Sequence, residues 1–163
     1  LSLEKLMQIG VTLGADVPFF VYGGSAWATG IGERLERVDS MPELWYVLVN
    51  PGIAVSTAWV YGNLRLTSPG DAAKLRKFPK TTREFVCLLH NDLEQVTMQK
   101  YPVVGEIKQR FSEYGAAGSL MSGSGPTVFG VFTSEESALN AARRMSDVPE
   151  WRACTVQPLD QKI

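Results

Sequence analysis

The sequence is poor in the residues that build disulfide frameworks and metal centres. Its 163 residues include one histidine and two cysteines, Cys87 and Cys154, which lie far apart and form no CxxC motif. A histidine-rich metal site is therefore excluded, and a cysteine-based zinc site or a disulfide scaffold is disfavoured. Cysteines without such a pattern suit a reducing compartment, so we expect a cytoplasmic protein.

The sequence also lacks an excess of charge and a long apolar run. Its 16 basic and 17 acidic side chains leave a formal net charge of −1. A protein that coats nucleic acid or adheres to a membrane through basic residues needs an excess positive field, which this composition does not supply. No apolar stretch approaches the ~20 residues that a membrane-spanning helix requires. The content of 45% hydrophobic and 20% charged residues is typical of a globular chain with one domain, or one domain and part of another.

The first forty residues predict a short helix followed by an antiparallel meander. Apolar residues at helical spacing open the chain, and an almost continuous apolar run with Pro18 near its start comes next. A proline in such a run indicates a strand beginning or an edge strand, and glycines mark the turns after it. The expected strands are residues 17–22, 25–29 and 33–38, and residues 39–43 are a candidate linker.

From Leu44 onward the pattern predicts an α+β fold, the split β-α-β or ferredoxin-like arrangement with extra helices in the first crossover. Apolar runs rich in β-branched and aromatic residues alternate with segments of helical spacing. The expected strands are residues 44–49, 53–55, 119–121, 127–132 and 152–157. Six helices are expected. The first is capped at Ser56 or Thr57, and the next two are residues 71–75 and 82–89. The fourth is capped by Asn91 with Glu94 as its capping-box partner, and the fifth runs from Val103 to Tyr114 and ends at Gly115. The last is capped by Thr133, and its apolar face is formed by Ala138, Leu139, Ala142 and Met145.

The densest glycine cluster, residues 115–126, lies between two expected strands, and Gly123, Ser124 and Gly125 form its centre. Glycines let backbone N–H groups come close to a ligand, and successive N–H groups form a concavity that suits phosphate. A glycine-rich hairpin without any ligand explains the pattern equally well. The cluster is neither a Walker loop nor a dinucleotide fingerprint.

Asp16 is a second candidate, because it lies between an expected helix end and the apolar run. A carboxylate at such a place can be partly desolvated and can accept a proton from a hydroxyl. The alternative, which turn statistics favour, is that Asp16 only hydrogen-bonds the amides of a turn. Tyr61, on the helix expected after the turn at residues 50–52, is either a core aromatic or a platform on which a planar ligand stacks. His90 is interpreted as a surface or helix-end residue.

Several segments together resemble the GHMP kinase superfamily, which is named for galactokinase, homoserine kinase, mevalonate kinase and phosphomevalonate kinase. The late glycine loop is shared by many of its members. The GADVPFF segment and the GxGE segment after it are far more specific to one branch, the kinases of a cytidyl-bearing alcohol. The segments that carry the resemblance are, in chain order, residues 13–20, 30–33, 49–57, 91–94 and 121–129.

The resemblance implies a domain organisation and a reaction. Residues 41–163 would form the GHMP kinase C-terminal, ferredoxin-like domain, and residues 1–40 would be a remnant of the N-terminal domain. The branch transfers a phosphoryl group from ATP, with Mg²⁺, to the 2-hydroxyl of 4-diphosphocytidyl-2-C-methyl-D-erythritol, in the non-mevalonate route to isoprenoid precursors. The implied partners are these two small molecules, without nucleic acid or membrane.

The resemblance also implies roles for single residues. Asp16 matches the family's catalytic aspartate, which is held to deprotonate or orient the attacking hydroxyl. Tyr61 falls where the family has an aromatic that stacks on cytosine, and the backbone near Thr57 and Ala58 falls where the cytosine edge is hydrogen-bonded. The residues that match the third GHMP motif, near the substrate and phosphates, are Gly123, Ser124 and Gly125.

The chain departs from the family pattern at its beginning. Nothing from Leu1 to Asp16 resembles the family's front lysine or its second motif, the glycine- and serine-rich loop that cradles the ATP phosphates. The resemblance implies that Leu1 falls somewhat before the middle of the full enzyme, so we expect no ATP turnover from these residues alone. Two other hypotheses stay open: another GHMP small-molecule kinase, and a non-catalytic ferredoxin-like binding module.

Overall fold

The computed structural model describes residues 1–30, 32, 34–38, 41–65 and 79–158. They divide into two compact units. Unit 1 contains the described residues up to Met41 together with Pro158, and unit 2 is Pro42–Gln157. The helix expected at residues 71–75 lies outside the described residues.

Unit 1 contains two helices and one hairpin. Ser2 caps the first helix by accepting a hydrogen bond from the Lys5 amide. The two strands pair antiparallel, with Ala26 opposite Arg37, which confirms the second and third strands expected from the sequence. The elements are α1 (Leu3–Leu13), α2 (Val17–Tyr22), β1 (Ala26–Thr29) and β2 (Arg34–Arg37).

The apolar run at residues 17–22 forms helix α2, so the expectation of a strand there is wrong and the meander reduces to one hairpin. A short, continuous apolar run does not distinguish a strand from a helix by its periodicity. Pro18 lies in the first helical turn, where its missing N–H costs nothing because that N–H would have no helical partner. Gly23, at φ 68°, ends the helix, and its N–H donates to the carbonyl of Phe19. Asp16 therefore lies between two helices.

Unit 2 contains a four-stranded antiparallel sheet. Its strands are β3 (Trp45–Asn50), β4 (Gly118–Met121), β5 (Val128–Phe132) and β6 (Arg152–Val156). Their order across the sheet is β4-β5-β3-β6, so the hairpin β4–β5 lies on one side of β3 and the last strand on the other. This is the split β-α-β topology, and the expected α+β, ferredoxin-like fold is confirmed.

The helices of unit 2 connect the strands and lie on both faces of the sheet. They are α3 (Thr57–Asn63), α4 (Thr82–Cys87), α5 (Asp92–Lys100), α6 (Val103–Glu113) and α7 (Glu135–Met145). Helix α6 packs on β4 and β5, and α7 packs on β3, β5 and β6. Both pack on the face of Val47 and Gly130, and Phe85 of α4 contacts Tyr46 on the other face. The core between α6, α7 and the sheet is fully apolar at its centre, where Val47, Phe111 and Phe132 are at most 1% exposed.

Most helix caps follow the sequence, because capping uses contacts within one turn. Ser56 caps α3, and Thr81 and Glu84 form a complete capping box on α4. Gly115, at φ 83°, follows the end of α6, as expected. The cap of α7 is Ser134, whose hydroxyl accepts from the Ser137 amide, and not the expected Thr133.

Two further expectations in unit 2 are corrected by the structure. Residues 53–55 form no strand: β3 is paired on both sides, and α3 begins immediately afterwards, so no sheet edge is available to them. Leu139 is 39% exposed, whereas Ala138, Ala141 and Met145 form the buried face of α7. Among the described residues, no helix combines the length and the apolar character that crossing a membrane requires.

Candidate functional site

The loop between β4 and β5, residues 122–127, is a tight, glycine-rich turn that we call the glycine loop. The Ser122 N–H donates to the Thr127 carbonyl at 2.8 Å, and the Gly125 N–H donates to the Ser122 carbonyl at 3.0 Å. Gly123 and Gly125 have φ values of 56° and 87°, in the left-handed region that favours glycine. The sequence of the loop is therefore matched to its backbone conformation.

Two adjacent amides of the glycine loop are unpaired. Within the described part of the chain, neither the N–H of Gly123 nor that of Ser124 donates a hydrogen bond. Neither residue is fully buried. Neighbouring main-chain donors of this kind can bind an anionic oxygen, as the interpretation of the glycine cluster requires.

A hydrogen bond joins helix α3 to the glycine loop, between the hydroxyl groups of Thr57 and Ser124, whose oxygens are 2.9 Å apart. Tyr61 lies one turn after Thr57, on the same side of the helix. Its side chain is 60% exposed, so the alternative of a core aromatic is excluded. The buried residue of α3 is its neighbour Val60. The structure thus brings Thr57, Ala58 and Tyr61 to the same part of unit 2 as the glycine loop.

Asp16 is placed in unit 1, at the N-cap position of α2. Its side chain makes no cap hydrogen bond, so the alternative of a turn-binding aspartate is not what the structure shows. The residue is exposed, so the expected partial desolvation is also not found in this chain. The nearby Gly32 has a φ of 114°, and a Cβ built there would lie 3.9 Å from Asp16 Oδ1. Glycine at this position leaves space beside the carboxylate.

Asn91, which caps α5, and two side chains of α5 hold the end of β4 and the glycine loop, and the sequence did not predict these contacts. Asn91 Nδ2 donates to the carbonyls of Met121 and Gly123, each at 2.8 Å. Glu94 Oε2 accepts from the Met121 N–H at 2.8 Å, and the buried Thr97 hydroxyl donates to the Ser124 carbonyl at 3.2 Å. The sequence feature that could have indicated these contacts is the spacing of Asn91, Glu94 and Thr97, which puts all three on one face of a helix.

Glu94 therefore holds the end of β4 and does not form the expected capping box. It pairs with Lys108 of α6, and both side chains are largely buried, at 13% and 25% exposed. Asn91 does cap α5, since its Oδ1 accepts from the Leu93 N–H at 3.0 Å. His90 is an exposed residue 2.8 Å from Asp92, which confirms its surface interpretation. In the described ranges, no three His, Cys, Asp or Glu side chains converge as a metal site would require.

The chain is similar to known kinases over nearly its whole length. Residues 72–150 match the family model described as GHMP kinases C terminal. Curated relatives named 4-diphosphocytidyl-2-C-methyl-D-erythritol kinase include that of Syntrophotalea carbinolica, 57% identical over 98% of this chain. Another, from Geobacter metallireducens, is 55% identical over 98% of this chain. The chain spans 57% of the length of each of these relatives.

Solved structures give the same result. A crystal structure of 4-(cytidine 5'-diphospho)-2C-methyl-D-erythritol kinase matches with a TM-score of 0.74 and 30% identity, over 96% of this chain and 57% of that chain. A homoserine kinase from Cytophaga hutchinsonii matches with a TM-score of 0.62 over 89% of this chain and 51% of that chain, and its 17% identity shows a likeness of fold alone. The resemblance to GHMP kinases that the sequence predicts is confirmed.

Proposed function

We propose, because the chain is related to the GHMP kinases over nearly its whole length, that it forms part of an ATP-dependent kinase of a small alcohol. The substrate we propose is 4-diphosphocytidyl-2-C-methyl-D-erythritol, whose 2-hydroxyl accepts the γ-phosphoryl group in the non-mevalonate route to isoprenoid precursors. The enzyme is proposed to be cytoplasmic. The observation that carries the substrate class is the Thr57–Ser124 contact, which joins a helix with an exposed aromatic to a loop with two unpaired amides.

The nucleoside end of the substrate would be held by α3. Tyr61 is exposed on that helix and would stack on the cytosine ring, which is planar and has a π-face. The N–H groups of Thr57 and Ala58 lie in the first turn of α3, where no helical carbonyl precedes them. They are donors for the hydrogen-bonding edge of the base.

The phosphate-bearing part would meet the glycine loop. The N–H groups of Gly123 and Ser124 would donate to phosphate oxygens. Gly125 lets the glycine loop pack closely on the buried Met121, because a Cβ at Gly125 would lie 2.6 Å from the Met121 sulfur. Mg²⁺ is bound in such reactions largely through phosphate oxygens, and it neutralises the charge that develops on them.

The chemical step proposed for the whole enzyme is in-line phosphoryl transfer. The 2-hydroxyl oxygen bonds to the γ-phosphorus as the bond from that phosphorus to the β-bridging oxygen breaks, and ADP leaves. Asp16 accepts the hydroxyl proton or orients the hydroxyl, which needs an ionised and accessible carboxylate. This role of Asp16 is supported by its position in unit 1, where the residue is exposed and its side chain makes no cap hydrogen bond.

Calorimetry with cytidine 5′-diphosphate tests the binding part of the proposal. Tyr61→Ala removes the platform and should weaken binding about tenfold or more, the usual contribution of a base stacked on an aromatic side chain. Tyr61→Phe keeps the ring and should bind as the wild type does. If the wild-type protein binds no cytidine nucleotide and instead self-associates, the non-catalytic module is the better reading.

Turnover tests the role of Asp16. The chain is joined to the part of the Syntrophotalea carbinolica relative that it does not cover, and a panel of cytidyl and non-cytidyl alcohols is assayed. Asp16→Asn should lower kcat by about 10²–10⁴-fold, the range for losing a positioned base. Asp147→Asn, an exposed aspartate just after α7, is the matched control. Undiminished turnover of Asp16→Asn contradicts its role, and a preference for non-cytidyl alcohols indicates another GHMP kinase.

A further inference from the structure

The direction of the Ser124 N–H is fixed by the carbonyl that belongs to the same peptide group. In a trans peptide the N–H points opposite to the C=O of the preceding residue. The preceding carbonyl is that of Gly123, and it accepts a hydrogen bond from Asn91 Nδ2 at 2.8 Å. The Ser124 N–H therefore points away from Asn91, and the group that holds this carbonyl also aims the donor.

Asn91 is itself held in place by two further contacts. Its Oδ1 accepts from the Leu93 N–H at 3.0 Å as the cap of α5. Its Nδ2 also donates to the carbonyl of Met121, the last residue of β4, at 2.8 Å. One side-chain amide thus joins the start of α5, the end of β4 and the glycine loop, so its orientation is determined from three sides.

The two peptides on either side of the Gly123–Ser124 peptide are held by groups other than Asn91, which makes the effect of Asn91 separable. The Gly125 N–H donates to the Ser122 carbonyl, and the Ser124 carbonyl accepts from the Thr97 hydroxyl. These bonds close the turn and tie it to α5 without Asn91. Loss of the Asn91 amide would release the Gly123–Ser124 peptide and leave the rest of the turn in place.

We propose that Asn91 is a positioning residue, which aims the Ser124 N–H at an anionic oxygen of the ligand's phosphate groups without touching the ligand. The inference rests on the proposed function, because it takes the glycine loop as the part of the site that meets the diphosphate. Asn91 then contributes to the binding of the phosphates and not to the binding of cytosine, whose platform is Tyr61.

The test compares the wild-type protein with Asn91→Ser, using cytidine and cytidine 5′-diphosphate as probes. Serine caps a helix about as well as asparagine, so α5 keeps its cap while the carbonyls of Met121 and Gly123 lose the Asn91 amide donor. The affinity for the diphosphate should fall about tenfold, and the affinity for cytidine should stay unchanged. In NMR spectra, the Ser124 amide of the wild type should shift on addition of the diphosphate, and that of the variant should shift much less.

Two variants complete the design. Asn91→Asp keeps the capping oxygen but sets a carboxylate against the carbonyls of Met121 and Gly123. Its affinity for the diphosphate should therefore fall at least as much as that of Asn91→Ser. Asn91→Asp also serves as the test variant if Asn91→Ser does not fold. Ser134→Asn makes a comparable exchange at the cap of α7, beyond the far end of β5, and should change neither affinity.

Each outcome decides something. An unchanged ratio of the two affinities in both Asn91 variants overturns the inference and leaves the proposed function standing. A parallel loss for both probes also overturns it, because it indicates a general disturbance and not an aimed donor. A wild-type protein that binds the diphosphate no better than cytidine overturns it as well. If the wild type binds neither probe, the proposed function fails, and the inference fails with it.

Discussion

Tyr46 shows how one half-buried side chain links the stability of unit 2 to alkaline pH. It lies on β3, and the ring centroids of Phe85 and Phe129 are 6.2 and 6.1 Å from its own, in edge-to-face arrangements. Burial among these rings disfavours the charged phenolate and raises the pKa of Tyr46 above its ordinary value of 10.0. The folded state therefore holds the phenolic proton more tightly than the unfolded state does.

The stabilising contribution that follows from this pKa shift is fully present below the unfolded pKa of Tyr46 and is lost as the pH rises through the folded one. Tyr46→Phe cannot ionise, so its free energy of unfolding should fall less than that of the wild type between about pH 9 and about pH 11. Urea unfolding of both proteins at the two pH values measures the difference. If the free energy of unfolding fell by the same amount in both proteins, the Tyr46 hydroxyl would titrate alike in the folded and unfolded states.

Among single residues, the sequence predicts a functional role where that role depends on neighbours within a few positions of the chain. The glycine loop and Tyr61 could be singled out, but helical spacing does not tell which side of α3 packs on the core, so the exposure of Tyr61 needed the structure. Asn91 could be predicted as a cap, because a cap bonds within its own turn. Its contacts with Met121 and Gly123, 30 and 32 positions away, depend on how α5 lies against the end of β4.

At the scale of the elements, long segments with clear periodicity were predictable and short apolar ones were not. The order of the sheet follows from the alternation of strands and helices, since a hairpin and a crossover leave few ways to pair four strands. The run at residues 17–22 was predicted as a strand and forms α2, because its six apolar residues suit either state and the proline fits the first turn of a helix.

The packing of α6 on β5 depends on a glycine in the strand. A Cβ built on Gly130 would lie 2.5 Å from a ring carbon of Phe111, whose side chain is fully buried. Close-packed cores yield little to such an overlap. Gly130→Ala should therefore lower the free energy of unfolding by about 1–3 kcal/mol, as overpacking of a core commonly does. Urea unfolding of the variant and the wild type measures this change.

Gly62 provides the matched control for this substitution. It lies inside α3, and a Cβ there would meet no atom within 4 Å. Gly62→Ala should raise the free energy of unfolding by up to about 1 kcal/mol, because alanine loses less backbone freedom in a helix. If the two substitutions had the same effect, the contact between Gly130 and Phe111 would not limit how closely α6 approaches the sheet.

For the molecule as a whole, the two units differ in how much apolar surface they bury. Apart from Pro18, the described apolar side chains that are buried, from Leu44 to Trp151, all belong to unit 2. In unit 1, by contrast, large apolar side chains of α1 and α2 are exposed, and Leu13 and Phe20 reach 77% and 78%. Burial of apolar surface is the main stabilising term in folding, so unit 2 should fold by itself and unit 1 should not.

Residues 42–157, produced alone, should therefore unfold in one cooperative transition, and residues 1–41 should show none, as circular dichroism on heating would record. The larger piece contains Tyr61, Thr57 and the glycine loop, so it should bind cytidine with the affinity of the whole chain. It lacks Asp16, so when it is joined to the uncovered part of the kinase relative without residues 1–41, no turnover is expected. A much weaker affinity for cytidine would mean that unit 1 contributes to the nucleoside site, and turnover without Asp16 would remove that carboxylate from the chemical step.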